Sequence, residues 1–272
     1  LKAYFDQNVW EYVIHKLSVT KFKQKLESNQ VGLCLGTHNI YEFARCFLDE
    51  NNSKNIEKGK EIFQYLSDLD ITYFLNQTDQ LIDSDLVYAL TGGKLLPFLD
   101  NYSIAAAKEE MLRLAKGYFG RARNFIHDRE DGLAKDTPEY RRAIIEGNIN
   151  MPKLKDFYEF RDNWQYRRDV LRKSEYWEKT KFLSDEKLFS EPGKYPYLNT
   201  WINAQLYFNF IALTNPDGPS KKSTSDYRHL INANAADFLV TEDQRIQQNS
   251  QKLCPYNRIY SWDEFEEMLR KD

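Results

Sequence analysis

The sequence is poor in the residues that build cross-linked or zinc-stapled scaffolds. Cysteine occurs three times in 272 residues, at Cys34, Cys46 and Cys254. The count is odd and the spacing wide, and there is no CxxC pair or Cys/His cluster. This argues against both a disulfide framework and a zinc module. No apolar run approaches the roughly 20 residues of a membrane helix, so no membrane partner is expected. No secretory leader is visible, and a reducing cytoplasm is the expected compartment. An excess of charge of one sign is lacking too. The formal net charge is −3, which offers nucleic acid no global attraction and leaves any contact to local clusters. No GxGxxG follows a strand pattern, which disfavours a dinucleotide site. Internal repeats and low-complexity segments are absent.

What is present is ample core material, with 42% hydrophobic residues, and a pattern that alternates short apolar runs with helical periods. The run Phe238-Leu239-Val240 is too short for a helix and ends abruptly in Thr241-Glu242-Asp243, so it reads as a buried strand. Ala3-Tyr4-Phe5 is a similar run, ending in Asp6-Gln7-Asn8. Between the ends, residues 8–26 read as one helix, 31–35 as a strand, 38–48 and 54–66 as helices and 71–75 as a strand. Thr37 is the expected N-cap of the helix at 38–48. Residues 77–90 form a helix closed by Gly92-Gly93. The order βαβααβ implies a parallel sheet covered by helices. From about residue 100 the strand signal disappears. Ile104, Ala107, Met111, Leu114, Ala115, Tyr118, Ala122 and Phe125 recur at helical steps, and 197–213 is a buried helix. Residues 215–220 are a turn. A helix at 226–235, the strand 238–240, a strand at 258–260 and a helix capped by Ser261 and Glu264 complete the chain. The expectation is an α/β core of about five parallel strands, built from 1–99 and 216–272, with a helical insertion at 100–215.

The stretches AYFDQNVW at residues 3–10 and DYRHLINANAADFLVTEDQRI at residues 226–246 resemble the terminal motifs of PIN-domain nucleases. In that family a first strand ends in Asp-x-Asn, a late helix opens on Asp, and the next strand ends in Val-Thr-x-Asp. The resemblance covers the two core segments and leaves the middle unexplained. It implies a PIN-like fold and a metal-dependent ribonuclease. Single-stranded RNA is the implied substrate, with room for a cognate inhibitor protein. Two departures stand out: the spacing from Glu42 to Asp226 far exceeds that of compact members, and Gln7 stands where a small residue is frequent.

Four acids carry the expected chemistry: Asp6, Glu42, Asp226 and Asp243. In an open parallel sheet, chemistry gathers at the carboxyl ends of strands. Asp6 and Asp243 directly follow strands; Glu42 and Asp226 lie early in helices that follow turns. Converging carboxylates raise one another's pKa values unless a cation balances them. All-oxygen ligands suit Mg²⁺ or Mn²⁺, and such an ion activates water against a phosphodiester. Each acid also has a plainer role. Asp6 and Asp226 fit helix caps, Glu42 fits the dipole of a first turn, and Glu242 and Asp237 compete with Asp243. Asn8 and Thr241 are expected to orient an acid or its water. His229 shares a helix face with Asp226, where it would contact phosphate or hold the acid, and His38 one with Glu42; a lone helical histidine is more often structural.

In the insertion, Arg121, Arg123, Arg167 and Arg168 lie among aromatics such as Tyr118 and Trp164. That mixture suits single-stranded nucleic acid. Acids are interleaved as well, which is the usual look of a solvated helix surface. A catalytically silent PIN-like module that binds RNA or protein is the alternative function. A haloacid-dehalogenase-like phosphatase is disfavoured because Asn8 stands where its second aspartate is needed.

Overall fold

The computed structural model describes residues 1–124, 126, 142, 146, 156–214 and 221–270. The turn expected at 215–220, and Phe125, lie outside them. Strand β1 (Lys2–Phe5) leads into helices α1 (Gln7–Lys16) and α2 (Val19–Ser28), then β2 (Gly32–Leu35) and α3 (Thr37–Ala44). Helix α4 (Ser53–Leu69), strand β3 (Tyr73–Phe74) and helices α5 (Thr78–Thr91) and α6 (Asn101–Ala115) follow. Short helices α7 (Phe157–Arg161), α8 (Trp164–Arg172), α9 (Trp177–Thr180) and α10 (Asp185–Phe189) lead to the long α11 (Pro196–Thr214). The chain then returns through α12 (Lys221–Ala233), β4 (Phe238–Val240), α13 (Gln244–Leu253), β5 (Arg258–Tyr260) and α14 (Trp262–Met268).

The five strands form one sheet in the order β3-β2-β1-β4-β5, parallel at every pairing. The chain builds outward from β1 on one side, then crosses back to add β4 on the other. This reversal leaves a crevice at the carboxyl ends of β1 and β4. Side-chain alternation divides the core. Ala3, Phe5, Leu33, Leu35, Phe238 and Val240 face one layer with α1, α2, α4, α6 and α14. Tyr4, Cys34 and Leu239 face the other, with α5, α11, α12 and α13. Both faces are covered, so the inner strands read as apolar runs at 3–5, 33–35 and 238–240, while edge strand β5 carries the exposed Arg258.

The inserted helices divide between these layers. Met111 and Leu114 of α6 join the first, whereas Phe157, Leu171, Leu188 and Ile202 join the second.

Three local expectations change. The single helix expected over 8–26 is two, because Leu17 is extended (φ −123°, ψ 132°) and the Ser18 hydroxyl accepts from the Lys21 N–H as a new N-cap. The cap of α3 is Gly36 rather than Thr37; the Asn39 side chain accepts its N–H at 3.0 Å. Helix α12 begins at Lys221, so Asp226 lies inside it and does not open it.

Candidate active site

The crevice at the ends of β1 and β4 is fixed by short polar links. Asp6 leaves β1 and caps α1: its Oδ1 accepts from the Val9 N–H at 2.9 Å. Its Oδ2 accepts from the Thr241 hydroxyl, at the end of β4. That same hydroxyl accepts from the Asp243 N–H at 3.0 Å. One buried oxygen therefore ties together the acids that follow two adjacent strands. Across β1, fully buried Asn39 of α3 donates to the Phe5 carbonyl at 3.0 Å, which sets α3, and with it Glu42, against the end of β1. Gly36 lets α12 approach closely, since a Cβ there would meet Asn232 Nδ2 at 2.6 Å.

Glu42 is buried between two imidazoles. Its Oε2 lies 2.9 Å from His229 Nε2 and its Oε1 3.4 Å from His38 Nε2. Burial by itself would raise the Glu42 pKa. The charge and hydrogen bond of His229, followed by those of His38, hold it well below the usual carboxylate range instead. His229 shows the mirror effect: burial would lower its pKa, but Glu42, then Asp6 and Asp226, raise it. On the far side of the ring, His229 Nδ1 meets the Tyr4 hydroxyl at 2.9 Å, which also accepts from Asn232 Nδ2 at 3.3 Å.

The remaining two acids share one guanidinium. Arg245 Nη2 lies 3.0 Å from Asp243 and 3.8 Å from Asp226. Asp243 also caps α13, accepting from the Arg245 N–H at 2.8 Å. Burial would raise Asp243, and Arg245 outweighs it, so its pKa falls. For Asp226 burial prevails: despite Arg245, and with Asp243 and Glu42 adding repulsion, its carboxyl is pushed up to about 6. Asp6 is raised as well, chiefly by burial, against the hydrogen bond from Thr241 and the charge of His229.

All four sequence-read acids thus stand at one edge of the sheet, coupled through His229, Glu42 and Arg245. Their competitors fall elsewhere: Asp237 accepts from the Lys2 N–H at the opposite end of β1, and Glu242 accepts from the Trp262 N–H at the start of α14. Thr241 links Asp6 to Asp243 as a supporting residue. Asn8 does not join them. It is exposed in the first turn of α1, and among the described residues no hydrogen bond ties it to the acids. Tyr4, Asn39, Asn232 and Arg245 were not legible as site residues, because three look like core or cap residues and the fourth like a surface charge.

The arginines read as nucleic-acid contacts divide. Arg121 is exposed. Arg123 donates to the Phe47 carbonyl at 2.8 Å and pairs with Glu50. Arg168 pairs with Asp185 and donates to the Leu183 carbonyl at 2.7 Å. Arg167 is only 5% exposed and donates to Asn199, to Asn203 at 2.7 Å and to the Arg161 carbonyl at 3.1 Å. It is an internal brace, out of reach of a phosphate. The chain matches no protein-family model, no curated protein and no solved structure.

Proposed function

We propose that this chain is a metal-dependent nuclease of PIN-like type that hydrolyses phosphodiester bonds of single-stranded RNA, with Asp6, Glu42, Asp226 and Asp243 around Mg²⁺ or Mn²⁺. One observation carries the reading: four carboxylates from separate elements stand at the β1/β4 crevice, linked through Thr241, His229 and Arg245. Four acids that share one arginine at this edge offer hard oxygens, and hard carboxylate oxygens fit a dication. Such an ion would supply an acidified water and draw charge off the phosphate. The protein's own part is placement. Thr241 and the first turn of α1 fix both oxygens of Asp6, and Arg245 spans Asp243 and Asp226 where a phosphate oxygen would compete for it.

A catalytically silent binding module is the second reading. It is favoured by the internal balancing of Glu42 by His229 and of Asp243 by Arg245. Incubation with mixed-sequence RNA and single-stranded DNA, with Mn²⁺ or with chelator, separates the two. The nuclease reading expects chelator-sensitive cleavage whose products carry no 2′,3′-cyclic phosphate, because water rather than the ribose hydroxyl attacks. Binding without cleavage favours the silent module, and cyclic ends or chelator-resistant cleavage would overturn the metal-site chemistry.

A further inference from the structure

We infer that His38, Glu42 and His229 form a mixed nitrogen and oxygen centre that takes a first-row transition dication in preference to Mg²⁺. The inference rests on reading this edge as a cation site, and not on the reaction assigned to it.

The donors are arranged as a preformed clip. His38 and Glu42 are one turn apart on α3, so both project from one face of the helix. His229 enters from α12. One donor atom from each of the three lies within 4.8 Å of the others. The carboxylate is 2.9 Å and 3.4 Å from the two Nε2 atoms. Ligands held tetrahedrally at about 2.0–2.1 Å from an ion stand about 3.3 Å apart, so small movements would seat one. The imidazole rings lie edge to face with centroids 4.7 Å apart, which turns both towards the same carboxylate.

The surroundings support a metal more than a simple ion pair. One carboxylate balances one imidazolium, yet two imidazoles converge on Glu42. All three side chains are at least nine-tenths buried, at 4%, 9% and 3% exposure for His38, Glu42 and His229. Behind His229, the Tyr4 hydroxyl meets Nδ1 at 2.9 Å. Where this hydroxyl accepts from Nδ1–H, it fixes the tautomer that leaves Nε2 for an ion. Buried Asn232 completes the relay. Its Nδ2 donates to the Tyr4 hydroxyl, and its Oδ1 is buried without a hydrogen bond. A half-turn of that amide would let the Tyr4 hydroxyl donate to Oδ1 while accepting from His229 Nδ1–H. Imidazole nitrogens suit Zn²⁺, Ni²⁺ and Co²⁺, whereas Mg²⁺ prefers an octahedron of oxygens.

The test uses the full chain, stripped with chelator and titrated with Co²⁺ while the visible spectrum is recorded. Wild type should develop the strong bands of a four-coordinate centre, and a large excess of Mg²⁺ should not displace the ion. His38→Ala and His229→Ala should each weaken binding by at least about 10-fold, and Tyr4→Phe by about 10- to 100-fold, the usual effect of losing an outer partner. X-ray absorption of the wild-type protein loaded with Zn²⁺ needs no variant and should show the multiple scattering of two imidazoles. An all-oxygen shell, or Co²⁺ affinity unchanged in both histidine variants, would overturn the inference while leaving the carboxylate nuclease standing. No binding of any dication by wild type would overturn both.

Discussion

Asp226→Asn should stabilise the fold. In the folded chain the Asp226 carboxyl is pushed from its ordinary 3.8 up to about 6, chiefly by burial and net of its attraction to Arg245. A raised folded pKa means that the native state holds the proton more tightly than the unfolded chain does. The effect is therefore nil below about pH 4, where both states are protonated, and a growing penalty from there to about pH 6. Above that it is constant. A shift of about two units corresponds to about 3 kcal/mol at pH 8, an upper estimate for a partly exposed group. Asparagine keeps the shape and removes the ionisation. Unfolding entropy of about 2.1 cal/mol/K per residue over 272 residues turns 3 kcal/mol into a Tm gain of about 5 °C. Calorimetry in chelator at pH 8 and pH 3.5 checks this. The variant should melt higher at pH 8 and level with wild type at pH 3.5. Added Mn²⁺ should narrow the gap, since an ion at 100 times its Kd stabilises wild type by about 2.7 kcal/mol and a variant with one ligand fewer by less. A variant that melts no higher than wild type at pH 8, or whose gain persists at pH 3.5, would refute the reasoning.

Two further outcomes follow from the same geometry. Arg167→Ala should lower stability by about 3–5 kcal/mol, because it strands the Asn199 and Asn203 oxygens in the core; denaturant melts measure the loss, and cleavage per folded molecule should not change. Arg245→Ala leaves Asp226 and Asp243 facing each other without their shared cation, so its Tm at pH 8 should fall in chelator and recover with Mn²⁺ more than that of wild type; a Tm insensitive to Mn²⁺ in scanning fluorimetry would count against the shared cation position.

The sheet was largely legible, and for a definite reason. Strands buried on both faces read as continuous apolar runs, so even the three-residue strand Phe238–Val240 stood out, and the acids that end β1 and β4 could be placed with it. The third strand, Tyr73–Phe74, is shorter than the run 71–75 that signals it; Leu75 still donates its N–H to the Leu35 carbonyl but meets Phe98 in an isolated antiparallel bridge. The break between α1 and α2 was hidden because Val9, Val13 and Leu17 keep four-residue steps up to it, and the five-residue step from Leu17 to Phe22, with Ser18 as a cap, is the only local sign of it. The position of Glu42 was legible but its chemistry was not. His229, its closest partner, is 187 residues away in sequence, and nothing local tells an imidazole facing a carboxylate from one facing apolar core. Tyr4 reads as one more core aromatic in a strand, yet its hydroxyl is what meets His229. In the insertion, mixed charge concealed the difference between exposed Arg121 and buried Arg167, which only the packing of α8 on α11 decides.

The central claim is that the carboxylates at the β1/β4 crevice cleave RNA, and Asp6→Asn tests it most directly. Asparagine is as good an N-cap as aspartate, so the bond from the Val9 N–H survives; the bond donated by the Thr241 hydroxyl is lost, and relief of a buried negative charge among acids offsets it, so the Tm should stay near that of wild type. Cleavage of mixed-sequence single-stranded RNA in Mn²⁺ should fall at least about 100-fold in Asp6→Asn while its melting curve matches wild type. Equal cleavage by wild type and this folded variant would contradict the account.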